Sequence, residues 1–185
     1  VTGDTASART VSLGAGSNSF NIDAVRTLAL NGAVSGAGSL RKIGAGTLRL
    51  GAANAYAGGT FVDAGTLATD VTGALGSGAA SVASGATLQL GGGFDAGKTA
   101  IGNQGTVRFE DKAGEGTSTI TNATGGLLAF ADDASASNAT VSNAAGAQVR
   151  IDQSNAGVNI GALAGAGDVL LGAKALTTGG LNTST

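Results

Sequence analysis

Residues 44–67 read GAGTLRLGAANAYAGGTFVDAGTL, and this stretch begins and ends on the same phrase. Gly46-Thr47-Leu48 near its start returns as Gly65-Thr66-Leu67 at its end. In a chain with 34 glycines, one such match means little unless the phrase keeps its phase elsewhere. The first aliphatic residue of the phrase does recur, at steps of 19–21 residues along most of the chain. This first series consists of Leu28, Leu48, Leu67, Leu88, Val107, Leu128, Val149 and Val169.

A second series of β-branched residues has the same spacing as the first. Its members are Ile43, Val62, Val82, Ile101, Ile120, Val141 and Ile160, and a polar or small residue precedes nearly all of them. Alternation of this kind predicts short strands with one buried face. Each period of about 20 residues therefore contains two short strands and no helical periodicity, which is typical of a solenoid. Propeller blades of about 40 residues and leucine-rich repeats fit the pattern less well.

The sequence therefore predicts an all-β fold, a parallel β-helix of about nine coils with 19–21 residues each. We expect it to be right-handed, because parallel crossovers almost always are. One coil buries about four aliphatic side chains, worth about 1.5–3 kcal/mol each. Ordering its backbone costs about 1–2 kcal/mol per residue, so a coil is stable only when stacked on others. Residues 1–185 are interpreted as one β-helix segment, with 1–24 as an irregular or partial first coil and 36–67 as the clearest repeat.

Some polar and small residues recur with the repeat and are predicted to be structural. Glycine before the first strand of a period is expected to supply a positive φ or a tight bend at a corner. These glycines are Gly46, Gly65, Gly85 and Gly105. Asn103, Asn122 and Asn143 follow the second series by two residues in three successive coils. Amides one coil apart can hydrogen-bond along the axis, so we expect an internal asparagine ladder rather than a ligand site.

Composition excludes several classes of function. The chain has no His and no Cys, so the common nucleophile–base arrangements and metal sites built on imidazole or thiolate are excluded. We therefore expect no catalytic residues, no enzyme activity and no cofactor. A net charge of −2 gives no clustered positive charge for nucleic acid or anionic lipid. No stretch reaches the roughly 18 apolar residues of a transmembrane helix, so the segment is not expected to be embedded in a membrane.

Acidic residues are concentrated in one region of the chain. Half of the twelve lie between positions 110 and 152, namely Glu110, Asp111, Glu115, Asp132, Asp133 and Asp152. Folding the chain with a 21-residue step brings Asp111 next to Asp132. Carboxylates arranged in this way could bind Ca²⁺, which makes Asp111, Asp132 and Asp133 a weak candidate cation site. A glycosidase acid/base pair is a further alternative. A solvated turn is the favoured interpretation.

The opening stretch closely resembles the autotransporter-associated β-strand repeat. The matching positions are Gly44, Gly46, Leu48, Leu50, Asn54, Tyr56, Gly58, Gly59, Thr60, Val62, Gly65 and Leu67. Ala57 departs from the family pattern, where Ser or Thr is usual, and Asp63 stands where Asn is common. Residues 116–143 and 163–185 resemble other passenger-domain repeats of the same secreted family.

This resemblance implies a structural stem within a larger bacterial autotransporter passenger of the type V secretion pathway. Such a stem would assist secretion and folding, and it would display adhesive or virulence functions at the cell surface. The implied partner is a C-terminal outer-membrane β-barrel of the parent protein, which is not in this chain. Host-surface or neighbouring-cell molecules are the further partners that the resemblance implies.

Three alternatives to a stem remain. The β-helix face itself could be an adhesive or self-association surface. A polysaccharide-acting enzyme would need a long loop over one face, and steps of 19–21 residues leave no room for one. An ice-binding β-helix would show Thr-x-Thr in consecutive coils. The first position of that pattern holds Thr27, Thr47, Thr66, Thr87 and Thr106, but the second holds Ala29, Arg49, Ala68, Gln89 and Arg108.

Overall fold

The computed structural model describes residues 3–114 and 116–181. All regular secondary structure in these ranges is β-strand. The strands are β1 (Thr5–Ser7), β2 (Val11–Leu13), β3 (Ser17–Asn21), β4 (Thr27–Leu30), β5 (Val34–Gly36), β6 (Ser39–Ile43), β7 (Thr47–Leu50), β8 (Ala55–Tyr56), β9 (Thr60–Val62), β10 (Thr66–Thr69), β11 (Ala80–Val82), β12 (Thr87–Leu90), β13 (Ala100–Asn103), β14 (Thr106–Phe109), β15 (Thr119–Asn122), β16 (Leu127–Asp132), β17 (Ala136–Asn143), β18 (Gln148–Ser154), β19 (Val158–Ala164), β20 (Asp168–Leu170) and β21 (Leu176–Thr178).

The strands form three parallel sheets that run along one axis. The first sheet has nine strands in the order β1-β4-β7-β10-β12-β14-β16-β18-β20. The second sheet also has nine, in the order β3-β6-β9-β11-β13-β15-β17-β19-β21, and the third contains only β2, β5 and β8. Nine stacked strands correspond to about eight full turns of a solenoid. The predicted parallel β-helix is therefore confirmed.

The first series of aliphatic residues forms one continuous column of the core. Leu48 pairs with Leu67, Leu67 with Leu88, and Leu88 with Val107. A second inward column of the same sheet includes Phe109 and Phe130, whose rings stack with centroids 5.5 Å apart. Thr69 is the polar member of that column, and its hydroxyl donates to the carbonyl of Leu50 at 2.8 Å. Because its one proton has a partner, the threonine is accommodated within an apolar column.

The second series, although it has the same spacing as the first, does not form a single column. Val62 pairs with Lys42 rather than with Ile43, and Val82 pairs with Asn103 rather than with Ile101. The two inward columns of the second sheet are Leu40, Thr60, Ala80, Ile101, Ile120, Val141 and Leu163, and Lys42, Val62, Val82, Asn103, Asn122 and Asn143. The two-residue shift between Ile101 and Asn103 keeps the inward face, so the spacing alone does not distinguish these two columns. Ile43 is one residue out of register and lies on the face opposite to that of Lys42.

The first coil is more regular than its sequence suggested. Residues 1–24 are predicted to be irregular or only partly coiled, yet β1, β2 and β3 pair with the next coil in all three sheets. Strand β3 reads SNSFN and carries one large apolar side chain, which hides its alternation. Leu13 is buried, and Val11 is half-buried against the core.

The third sheet ends at β8, and the cross-section of the solenoid changes there. Beyond Tyr56, the third side continues in the described residues as turns with isolated bridges from Asp95 to Gly114 and from Gly114 to Ser135. The coils up to β8 therefore have three sheets, and the later coils have two. Residues 44–67 lie at this change in cross-section.

Candidate functional site

Asn54 connects three successive coils. Its Oδ1 accepts a hydrogen bond from the backbone N–H of Val34 in the preceding coil at 2.7 Å. Its Nδ2 donates to the carbonyl of Ala74 in the following coil at 2.6 Å. Both partners are main-chain groups: the N–H of Val34, the first residue of β5, and the carbonyl of Ala74, which lies in a turn. One side chain therefore supplies hydrogen bonds that would otherwise require water inside the stack.

Tyr56 and Thr60 form a second link to the following coil. The Tyr56 side chain is fully buried, and its hydroxyl lies 2.6 Å from Oγ1 of Thr60. Because the Thr60 hydroxyl donates to the carbonyl of Leu75 at 3.0 Å, its proton is committed and the Tyr56 hydroxyl is the donor to Thr60. Burial raises the pKa of Tyr56 to about 12. The phenol is therefore a neutral structural group near neutral pH.

The four glycines singled out by spacing fall into two kinds. Gly65 and Gly85 have φ of +66° and +77°, in the left-handed region. Gly46 and Gly105 do not, but a Cβ at either position would collide with a carbonyl oxygen of the preceding coil, that of Asp23 or Ala83. The remaining glycines of the repeat show the same division, with positive φ at Gly44 and Gly59 and backbone too close for a Cβ at Gly58.

The apolar positions of the repeat all lie in the core. Leu48, Leu50, Val62 and Leu67 are fully buried in the first and second sheets. The repeat therefore combines an ordinary solenoid core with polar side chains that bond to neighbouring coils at the turns.

Lys42 is a buried residue that the sequence reasoning missed. Its side chain is fully buried, and its Nζ donates to the carbonyls of Gly44 at 2.7 Å, Ile43 at 3.0 Å and Ala64 at 3.1 Å. Burial lowers the pKa of this amine from its ordinary value. The alternation along β6 could have revealed it, because Leu40 and Lys42 share one face. Ile43 was instead read as the inward residue.

The three predicted asparagines lie in successive strands of the second sheet, almost completely buried. Nδ2 of Asn103 donates to Oδ1 of Asn122 at 2.8 Å, and Nδ2 of Asn122 donates to Oδ1 of Asn143 at 2.8 Å. Each Nδ2 also donates to a backbone carbonyl of the next coil, those of Leu127, Gln148 and Asp168. The amides thus form a one-way chain along the axis, and its first acceptor, Oδ1 of Asn103, takes the N–H of Gly105 at 3.0 Å.

The carboxylates of the candidate cation site are each bonded along the axis. Oδ2 of Asp111 accepts the N–H of Gly92 at 2.9 Å, and Oδ1 of Asp133 accepts from Nδ2 of Asn155 at 3.0 Å. Oδ2 of Asp132 accepts the N–H of Asp111. No group of three acidic, His or Cys residues among the described residues is placed to hold a metal ion. Glu115, the other acidic residue of this region, lies outside those residues.

The outward arginines of the first sheet are paired with carboxylates. Arg49 contacts Asp70 at 2.7 Å, Arg150 contacts Asp152 at 2.6 Å, and Arg108 contacts Glu110. The hydrogen bond from Arg150 holds the pKa of Asp152 below its usual value. This face is therefore electrically balanced, and it presents neither a basic stripe nor a free acidic one.

Two shallow grooves lie on the third side of the later coils. One of about 310 Å³ is lined by residues that include Leu75, Phe94, Asp95 and Lys98. The other, of about 330 Å³, shares Asp95 and adds Lys112 and three polar residues beyond it. Asp95 is the one carboxylate that lines either groove in the described chain. A glycosidase of the ordinary kind needs two, and the described residues supply only this one to the grooves.

Comparison with known proteins finds two similarities. The family model described as passenger-associated-transport-repeat matches residues 40–68, the stretch that contains Lys42, Asn54 and Tyr56. The chain is also 38% identical over 101 residues to the adhesin BmaC autotransporter of Brucella suis biovar 1 (strain 1330). That alignment covers 54% of this chain, which spans only 3% of the relative. The resemblance to an autotransporter passenger with associated repeats is therefore confirmed.

No solved structure matches the chain. The described residues contain no helix of the length and apolarity needed to cross a membrane.

Proposed function

We propose that this chain is a structural β-helical stem within a bacterial autotransporter passenger. The stem assists secretion and folding of the passenger and displays adhesive functions at the cell surface. One observation carries the proposal: the transport-repeat model matches the stretch in which Asn54, Tyr56 and Thr60 bond successive coils together. The role is structural and non-enzymatic, and similarity to an autotransporter adhesin supports it.

A stem of this kind assists export because its coils become stable one after another as they fold. An isolated coil does not offset the entropy cost of ordering its backbone, whereas each coil added to a folded stack does. Once a few coils have folded outside the cell, every further coil that emerges is captured by the stack. Asn54 strengthens this capture because it bonds to the coils on both of its sides.

The proposed location is the cell surface, reached by export across the outer membrane. The partner is the C-terminal outer-membrane translocator barrel of the longer protein. Host-surface or neighbouring-cell molecules are the proposed targets of the displayed functions. Similarity to an adhesin autotransporter supports each of these points.

The test compares variants of the passenger displayed on bacteria with its own barrel. Asn54→Ala removes the link between three coils, and Ala55→Ser changes an exposed neighbour as the matched control. We expect Asn54→Ala to lower the amount of passenger at the surface, while adhesion per exported molecule stays unchanged. Unchanged export together with lost adhesion would contradict a secretion-assisting stem.

A second candidate function is an adhesive or self-association face, and one observation favours the second sheet as its location. The strands of that sheet from β9 onward contain no charged residue among the described ones. Their outward positions include Ser81, Gly102, Thr121 and Ser142, which are small, and the first three line a shallow depression of about 280 Å³. Thr121→Arg would place a charge on this face, whereas Gln89→Arg places one on the first sheet. Loss of cell clumping in the first variant alone would support this function.

A further inference from the structure

The ammonium of Lys42 lies where a small cation would be coordinated. Three oxygens surround Nζ at 2.7–3.1 Å, and all three are backbone carbonyls. Ile43 and Gly44 belong to the same coil as Lys42, and Ala64 belongs to the next. The side chain is fully buried, so bulk water does not compete for these oxygens. An ammonium has three donors and no acceptor, which matches three converging carbonyls.

The local backbone explains why these carbonyls turn inward. The chain leaves β6 through Gly44, whose φ of +77° reverses the direction of the peptide groups at this corner. The Ile43 carbonyl also accepts the N–H of Ile22 at 3.1 Å in the ladder with the preceding coil. For the carbonyls of Gly44 and Ala64, Nζ of Lys42 is the donor that the structure shows.

At the corresponding corners of other coils, asparagine side chains take the place of the lysine. Asn103, Asn122 and Asn143 occupy the same inward column of the second sheet, and each also supplies nitrogen donors at the corner. An amide brings its own acceptor, so those corners are filled by side-chain pairs. Val62 lies in the column directly after Lys42 and brings no polar atom. The Lys42 corner is therefore distinct in combining converging carbonyls with a single positive charge.

We propose that the carbonyls of Ile43, Gly44 and Ala64 form a monovalent-cation site whose resident ion is the ammonium of Lys42. When the side chain is shortened, the corner takes up a primary ammonium ion or potassium in its place. Rings of backbone carbonyls coordinate such ions elsewhere in proteins. A quaternary ammonium has no N–H to donate and is too bulky for the site. The proposal stands independently of the function proposed above.

The test uses Lys42→Ala in the 185-residue chain and measures the thermal unfolding midpoint in different chloride salts at equal ionic strength. The probes are potassium, ammonium, propylammonium and tetramethylammonium. An ion that binds only the folded state raises the midpoint in proportion to the logarithm of its concentration above its Kd. We expect ammonium and propylammonium to raise the midpoint by at least about 2 °C over tetramethylammonium, a shift that a domain of this size makes measurable.

Val62→Ala is the matched control, because it opens a fully buried cavity in the same column without the three carbonyls. For Val62→Ala and for the unmodified chain, the unfolding midpoint should be the same in all four salts. An equal response of Lys42→Ala to all four salts would overturn the proposal.

A second measurement covers the case in which Lys42→Ala does not fold. In the unmodified chain, NMR of the lysine Nζ groups should show slow proton exchange for Lys42 and fast exchange for the exposed Lys98. Fast exchange at Lys42 would exclude an enclosed ammonium and overturn the proposal by itself.

Discussion

Asp111 and Asp132 occupy the same turn position in successive coils, and Oδ2 of Asp132 accepts the backbone N–H of Asp111 at 3.2 Å. Both residues have a left-handed backbone, with φ of +56° and +54°. Gly92 stands one coil earlier with φ of +68°, and its N–H in turn bonds to Asp111. Aspartate tolerates this conformation better than most residues. The two carboxylates therefore serve as axial acceptors at a corner.

Two substitutions of Asp132 separate the contribution of its hydrogen bond to stability from that of its negative charge. Asp132→Asn keeps an acceptor and tolerates a left-handed backbone, whereas Asp132→Ala loses the acceptor and fits that backbone poorly. We expect Asp132→Ala to lower the unfolding free energy by about 1–2 kcal/mol, the cost of a left-handed backbone for alanine, and Asp132→Asn by less than about half as much. Urea denaturation measures both. If calcium raises the unfolding free energy of the unmodified chain but not that of Asp132→Asn, the result would instead support the cation site.

Asn122 is the central residue of the asparagine ladder. Asn122→Ala removes the donor to Oδ1 of Asn143 and to the Gln148 carbonyl, inside a region that excludes water. It also removes the acceptor of Nδ2 of Asn103, which keeps its bond to the Leu127 carbonyl. Each buried polar group left unpaired costs about 1–3 kcal/mol, so we expect a total loss of about 3 kcal/mol. Thr121→Ala, on the exposed side of the same strand, is the control and should cost less than about 1 kcal/mol. Equal losses in the two variants would show that the ladder does not stabilise the fold.

Tyr56 makes the stability of the protein sensitive to alkaline pH. Its pKa is about 12 in the folded protein and about 10 in a free phenol, so the unfolded chain loses this proton first as pH rises. The unfolded state binds fewer protons between pH 10 and 12, and the unfolding free energy must fall there, by about 3 kcal/mol across the interval. Tyr56→Phe cannot lose a proton. Its unfolding free energy, measured in urea at pH 9, 10 and 11, should therefore fall less steeply than that of the unmodified chain.

Val25 is in a strained conformation that a substitution can relieve. Its φ is +57°, and its side chain is 92% exposed, so it contributes almost no packing. Glycines with φ of +76° to +82° occupy the corresponding turn position in three other coils, at Gly85, Gly125 and Gly146. We expect Val25→Gly to raise the unfolding free energy by about 1 kcal/mol, because relief of backbone strain exceeds the entropy cost of glycine.

Val71→Gly is the comparison for Val25, because it removes a partly buried side chain that packs against the core. It should lower the midpoint of thermal unfolding, whereas Val25→Gly should raise it. A lower midpoint for Val25→Gly would mean that the turn holds valine without strain.

The sequence predicted the fold because the first series stays in one column. The register of β4 and its successors is unbroken at this column, so equal spacing there means equal position. The second series did not stay in one column, because the segments between its strands differ in length. Val62 pairs with Lys42 rather than with Ile43, Val82 pairs two residues beyond Ile101, and Val141 pairs with Leu163 rather than with Ile160.

The candidate site was only partly accessible to sequence reasoning. The family pattern named Asn54 and Tyr56, but spacing alone gave no reason for their chemistry, which depends on turn carbonyls and amides of other coils. Lys42 was missed because a lysine is seldom buried without a carboxylate partner. Its position on the buried face of β6 follows from the alternation with Leu40, and the register with β9 agrees with it.

The link that Asn54 makes across three coils has a mechanical consequence. Because the ladders of a solenoid run along its axis, tension applied to one end peels off terminal coils one after another. Each coil released adds about 65 Å of extended chain, as 20 residues at about 3.3 Å each. Under tension the chain therefore lengthens in steps. Each of the two junctions that Asn54 joins carries an added side-chain hydrogen bond, so we expect a higher rupture force at both of them.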